Sequence, residues 1–83
     1  MGGRAPAVTG AIRFVLIKRS FSLAGHRTSV ALEREFWTVL SAIAATRGQT
    51  LSALVAAQDA GRDPARSLAS ALRVLALRES ART

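Results

Sequence analysis

The chain has 83 residues, no cysteine, one histidine and a formal net charge of +7, from 12 Lys and Arg against 5 Asp and Glu. That length supports one small domain with a modest core; it has no disulfide or thiolate metal site, and His26 alone cannot hold zinc. The charge favours a polyanionic partner, and a hydrophobic content of 49% argues against wholesale disorder.

Residues 1–10, "MGGRAPAVTG", contain Gly, Pro and small residues without a period, as a flexible leader would. The apolar run that follows, "AIRFVLI", is seven residues long and interrupted by Arg13. A membrane span needs about 20 apolar residues. "KRS" follows where a secretory signal would carry a small-residue cleavage site. The expected location is therefore the cytoplasm, with no membrane partner.

Residues 11–23 are rich in strand formers, and Arg19, Phe21 and Leu23 share one strand face. Gly25 offers a turn or bulge. In "HRTSVALE" the period is again two: Thr28, Val30 and Leu32 fall on one side, Arg27, Ser29 and Ala31 on the other. The two stretches can form a hairpin, or the second can pair with its copy in another subunit.

From Arg34 the rhythm becomes helical, with Phe36, Trp37, Val39, Leu40, Ile43 and Ala44 along one stripe. Glu33 and Glu35 suit the positive end of the helix dipole, and "TRG" closes the helix at Gly48. Thr50 is the expected cap of a second helix carrying Leu51, Leu54, Val55 and Gln58. Asp63-Pro64 reads as the cap and first position of a third helix running to about Glu79. That helix is apolar most of the way round and asks for cover on two sides, which suggests a dimer.

Catalysis has no support. The five carboxylates, Glu33, Glu35, Asp59, Asp63 and Glu79, lack a histidine or cysteine at a useful spacing, and there is no Gly-rich phosphate loop. No cofactor or metal is expected.

The order of strand, helix, glycine turn and helix in "RTSVALEREFWTVLSAIAATRGQTLSALV" resembles the ribbon-helix-helix unit of the Arc-like DNA-binding family. "SVALEREFW" is similar to its strand-to-helix step and "RGQTLSAL" to its inter-helix turn. The preceding "KRSFSLAGHRTS" resembles a subgroup of short bacterial ribbon-helix-helix domain proteins. The resemblance implies a mainly α fold with a short β ribbon, an intertwined homodimer, here with an additional C-terminal helix. Residues 1–17 are then a flexible or strand-like extension, 18–79 the domain with its third helix, and 80–83 a tail.

The resemblance also implies a function: sequence-preferring binding of double-stranded DNA, as a transcriptional repressor whose antiparallel ribbon enters the major groove. Arg27, Ser29 and Ala31 become the base-contacting residues. Arg27 can bond guanine O6 and N7, Ser29 can donate or accept, and Ala31 offers only a methyl where the family tends to carry a longer polar side chain. Thr50, Leu51 and Ser52 match the helix N-terminus that clamps a phosphate, with Lys18 and Arg19 adding contacts beside the groove. Val30, Leu32, Phe36, Trp37, Leu40 and Leu54 are the expected dimer core. The alternative is an antitoxin or protein-interaction adaptor on the same fold, with the third helix as partner surface. Only about "RESART" follows the body of that helix, whereas antitoxins of this fold usually carry a long tail.

Overall fold

The structure is a computed structural model that describes residues 15–81. The leader expected over residues 1–10, residues 11–14 of the strand-like stretch and the last two residues lie outside the described residues. Two strands, β1 (Leu16–Leu23) and β2 (His26–Glu33), are followed by three helices: α1 (Arg34–Thr46), α2 (Leu51–Gly61) and α3 (Leu68–Ala81).

Of the two pairings open at the level of sequence, the structure has the hairpin within one chain. β1 and β2 run antiparallel, from Leu23 opposite His26 to Leu16 opposite Glu33. The turn explains the choice. Ala24 and Gly25 both have positive φ, 51° and 82°. Primed two-residue turns of this kind match the right-handed twist of paired strands. The register then sets Ile17 opposite Leu32 and Phe21 opposite Thr28; Leu16 and Ala31 lie on the other side, but most apolar side chains of the two strands share a face. Phe21, Leu23, Val30 and Leu32 are buried there. A two-stranded hairpin alone is marginal in water; the helices stabilise this one by covering that face.

β2 passes directly into α1. Glu33 is the N-cap, in extended conformation, and Glu35 sits in the first turn. The helix ends where "TRG" predicts. Gln49 N–H donates to Ala44 O at 2.8 Å and Gly48 N–H to Ala45 O at 3.1 Å, with Gly48 at φ 68°. These two bonds satisfy carbonyls that a helix end would otherwise strand. The chain then turns by 97° into α2, whose cap, Thr50, accepts a bond from Ala53 N–H at 3.0 Å.

The start of α3 corrects the sequence reading. Asp63-Pro64 does not open the helix, which begins at Leu68. Asp63 spends its carboxylate on Ala65 N–H at 2.9 Å, two residues on, and thereby makes a turn of its own. Arg62 Nη1 donates to Arg66 O at 2.8 Å and draws that turn in. Ser67, whose Oγ accepts from Ser70 N–H at 3.1 Å, is the working cap.

The core is one cluster in which Leu32, Leu40, Leu54, Val55 and Leu72 are fully buried. β2 supplies Leu32, and the other four come from the three helices. α3 finds its cover within the chain, on α1, α2 and β2, through Leu68, Ala71, Leu72 and Ala76. Leu77 stays 61% exposed on its outer side.

Candidate nucleic-acid interface

A strand alternates, so the face opposite the core follows from the register. Lys18 lies opposite Ala31, Ser20 opposite Ser29 and Ser22 opposite Arg27. These six side chains form two parallel rows on the outer face of the hairpin. Five are exposed, and Ala31 is half-buried. Both charges within the rows are positive. Glu33, at the end of the same face, is drawn to Arg73, whose Nη2 lies 3.1 Å from it.

Two short contacts order this face. Arg27 Nη1 donates to Ser22 Oγ at 3.3 Å. The Ser20 and Ser29 hydroxyl oxygens lie 3.1 Å apart, so one donates to the other. Chemically the surface is thin, cationic and rich in hydroxyl groups. It can approach a polar edge closely, because nothing larger than serine stands between Lys18 and Arg27 along the rows.

Arg27, Ser29 and Ala31 are therefore brought together, with Lys18 beside them. Arg19 is not. It belongs to the opposite face, where its guanidinium carbon sits 5.4 Å from the centroid of the Trp37 ring, a cation–π contact. Trp37 itself is 2% exposed. Its indole N–H donates to Ile17 O at 2.8 Å, and its ring lies 5.9 Å from that of Phe21. Val30, Leu32, Leu40 and Leu54 are likewise buried within the single chain, and Phe36 packs partly buried against the same cluster. His26 is exposed beside the turn.

Thr50, Leu51 and Ser52 form the start of α2. Thr50 and Ser52 are exposed, while Leu51 packs against the core. The first amides of a helix have no acceptor within it, so the N–H groups of Leu51 and Ser52 are available to an anion. Thr50 Oγ1 accepts from Ala53 N–H and keeps its own hydrogen to donate. The partial positive charge of the helix end adds to this.

A model of the ribbon-helix-helix domain matches residues 16–80, nearly all of the described chain. The chain belongs to the ribbon-helix-helix family. Its hairpin is the ribbon, and α1 and α2 are the two helices that follow. Among solved structures, an uncharacterized protein from Bordetella pertussis Tohama I is similar: 35% identity, TM-score 0.70, covering 82% of this chain. The ribbon-helix-helix chain described here spans only 58% of that protein. No curated protein matches the chain.

Sequence reasoning left two residues of the outer face unassigned, Ser20 and Ser22. Their signal was present in "KRSFSL", where Lys18, Ser20 and Ser22 alternate with Arg19, Phe21 and Leu23. The alternation acquires meaning only once β1 is known to pair with β2.

Among the described residues no group of His, Cys, Asp and Glu could hold a metal ion. No single described helix is long and apolar enough to cross a membrane.

Proposed function

We propose that this ribbon-helix-helix protein binds double-stranded DNA as a homodimer with sequence preference, and acts in the cytoplasm as a transcriptional repressor. The ribbon's outer face enters the major groove, Arg27 and Ser29 meet base edges, and Ala31 offers its methyl. Lys18 and the start of α2, Thr50 to Ser52, bind phosphates. The observation that carries this reading is the division of the hairpin: the apolar side chains of its paired strands lie mainly on the helix side, and the outer rows are exposed, small and cationic. The net charge of +7 supports it. The homodimer is supported by apolar surface that one chain leaves open at Val15, Leu16 and Leu77, and by the family.

The experiment is binding to genomic duplex fragments at several salt concentrations, with wild type beside Arg27→Ala. Phosphate neutralisation makes affinity fall steeply with salt, and Arg27→Ala is expected to lose preference among fragments while keeping most of the salt dependence. Salt-insensitive or absent binding by the wild type would remove the repressor reading.

A second reading has its own observation. A groove of about 400 Å³ lies between α1 and the end of α3, lined by Thr38, Val39, Ala42, Ile43 and Glu79 among others. In the adaptor reading this groove, with α3, takes a protein partner. Retention of DNA preference in an Ala42→Arg variant that loses a protein partner would separate the two uses.

A further inference from the structure

We propose that the groove between α1 and α3 is a binding site for an apolar α-amino acid, whose carboxylate pairs with Arg47 and whose ammonium pairs with Glu79. The site lies among the helices, away from the ribbon's outer face, and is independent of the DNA-binding reading. A small zwitterion here takes the place of the protein partner of the adaptor reading.

The floor of the groove is apolar. Val39 and Ile43 rest on the core, and Ala42 is exposed beside them. The charges stand at one end of this floor. Ile43 precedes Arg47 by one turn of α1 and Val39 precedes it by two, about 6 and 12 Å along the helix axis. Glu79 faces Arg47 from the last turn of α3. An occupant with its charged groups at that end therefore lays its side chain on Ile43, Ala42 and Val39. The volume, about 400 Å³, is near the lower end of small-molecule sites, which span about 300–1,000 Å³. It suits a molecule of amino-acid size.

Charge selects the zwitterion. Arg47 and Glu79 meet through Nη2 and Oε2 at 3.4 Å, and both side chains are partly exposed. Arginine and carboxylate make their strong contacts as a bidentate fork, with two parallel bonds shorter than this one. The pair observed here is loose, and a partly exposed pair of this kind adds little to stability. A carboxylate on Arg47 alone displaces Glu79 and leaves it without its cation. An ammonium on Glu79 alone does the same to Arg47. A zwitterion compensates both charges together. The C-terminal ends of α1 and α3, at Thr46 and Ala81, stand at this end of the groove. Their partial negative charge favours the ammonium.

The test is an NMR titration of the isotope-labelled full-length protein, followed at the backbone amides of Val39, Ala42, Ile43, Arg47 and Glu79. Leucine and phenylalanine are expected to shift these amides saturably. Alanine, which lacks the apolar side chain, is expected to bind roughly tenfold more weakly or worse. Isocaproate and isoamylamine keep the leucine side chain and one charge each, and each is expected to lose roughly tenfold. Glu79→Gln is expected to weaken leucine by a similar factor without weakening isocaproate, and Arg47→Gln to weaken leucine without weakening isoamylamine. Circular dichroism checks that both variants fold. If isocaproate binds the wild type as well as leucine does, the site takes an anion and the proposal falls. If the groove amides respond to protein concentration but to no amino acid, a second copy fills the groove and the proposal likewise falls. If no amino acid moves them at all, the proposal falls while the DNA-binding reading is untouched.

Discussion

Arg73, in the middle of α3, grips Glu33, the last residue of β2, with Nε and Nη2 both 3.1 Å from the same carboxylate oxygen. The guanidinium carbon also lies 5.7 Å from the centroid of the Phe36 ring. One side chain thus ties the C-terminal helix to the junction of ribbon and first helix. The Glu33 carboxyl is held below the ordinary carboxylate range, foremost by a hydrogen bond from its own backbone N–H. Desolvation opposes this, and the hydrogen bond and charge of Arg73 add to it.

The sign of the pH effect follows. Because the folded pKa lies below the unfolded one, the stabilisation from Glu33 is complete above the ordinary carboxylate range. It is lost as pH falls through the lowered folded value. Glu33→Gln is expected to melt below wild type at neutral pH, with the gap narrowing in acid. Melting temperatures of the two proteins across the acidic range check this; a gap that stays constant would contradict it. The pair is partly exposed, so added salt is expected to shrink the neutral-pH gap as well.

At the hairpin turn the prediction is a gain. Ala24 has φ 51°, a left-handed conformation that costs a residue with a Cβ about 1–2 kcal/mol. Asn tolerates it and precedes Gly in the favoured hairpin turn. Ala24→Asn is therefore expected to stabilise the protein by about 0.5–1 kcal/mol, read from denaturant unfolding. Gly25→Ala, at φ 82° with open space around the new Cβ, is expected to destabilise through backbone strain alone.

The α2 cap separates folding from binding. Thr50→Ala removes the bond to Ala53 N–H and is expected to cost about 1 kcal/mol. Thr50→Ser keeps it and should melt near wild type. If the start of α2 binds phosphate, Thr50→Ser also keeps DNA affinity, whereas Thr50→Ala weakens it equally across sequences, since phosphate contacts carry no base information.

Burial ranks two leucines of α3. Leu72 is fully buried, and Leu72→Ala is expected to cost about 2–5 kcal/mol, a large share of what a small domain has. Leu77 is 61% exposed, and Leu77→Ala in the isolated chain should stay within about 0.5 kcal/mol. A larger effect that grows with protein concentration would locate Leu77 in the contact between two copies. Unfolding at several concentrations makes the distinction.

Local patterns carried much of the fold. A period of two over Thr28 to Leu32 and a helical period from Phe36 to Ala44 depend on which neighbours share a face, which adjacent residues determine. The end of α1 at Gly48 and the cap of α2 at Thr50 were legible for the same reason: both motifs close within five or six residues. Asp63-Pro64 misled because an aspartate can accept a bond two residues on as readily as three. The choice depends on how the following residues pack.

The sequence by itself determined the order of elements, the excess of positive charge, and an outward row of Arg27, Ser29 and Ala31 on β2. Tertiary structure decided what that row stands beside. Ala24 and Gly25 turn β1 back along β2 and set Lys18, Ser20 and Ser22 next to it. Packing sets the exposed Arg19 on the helix side of the hairpin, over the Trp37 ring. It also joins Glu33 to Arg73, 40 residues away. The physical reason is range. Periodicity and caps are energies between near neighbours, whereas strand pairing and distant ion pairs form only when burying one shared core brings remote residues together.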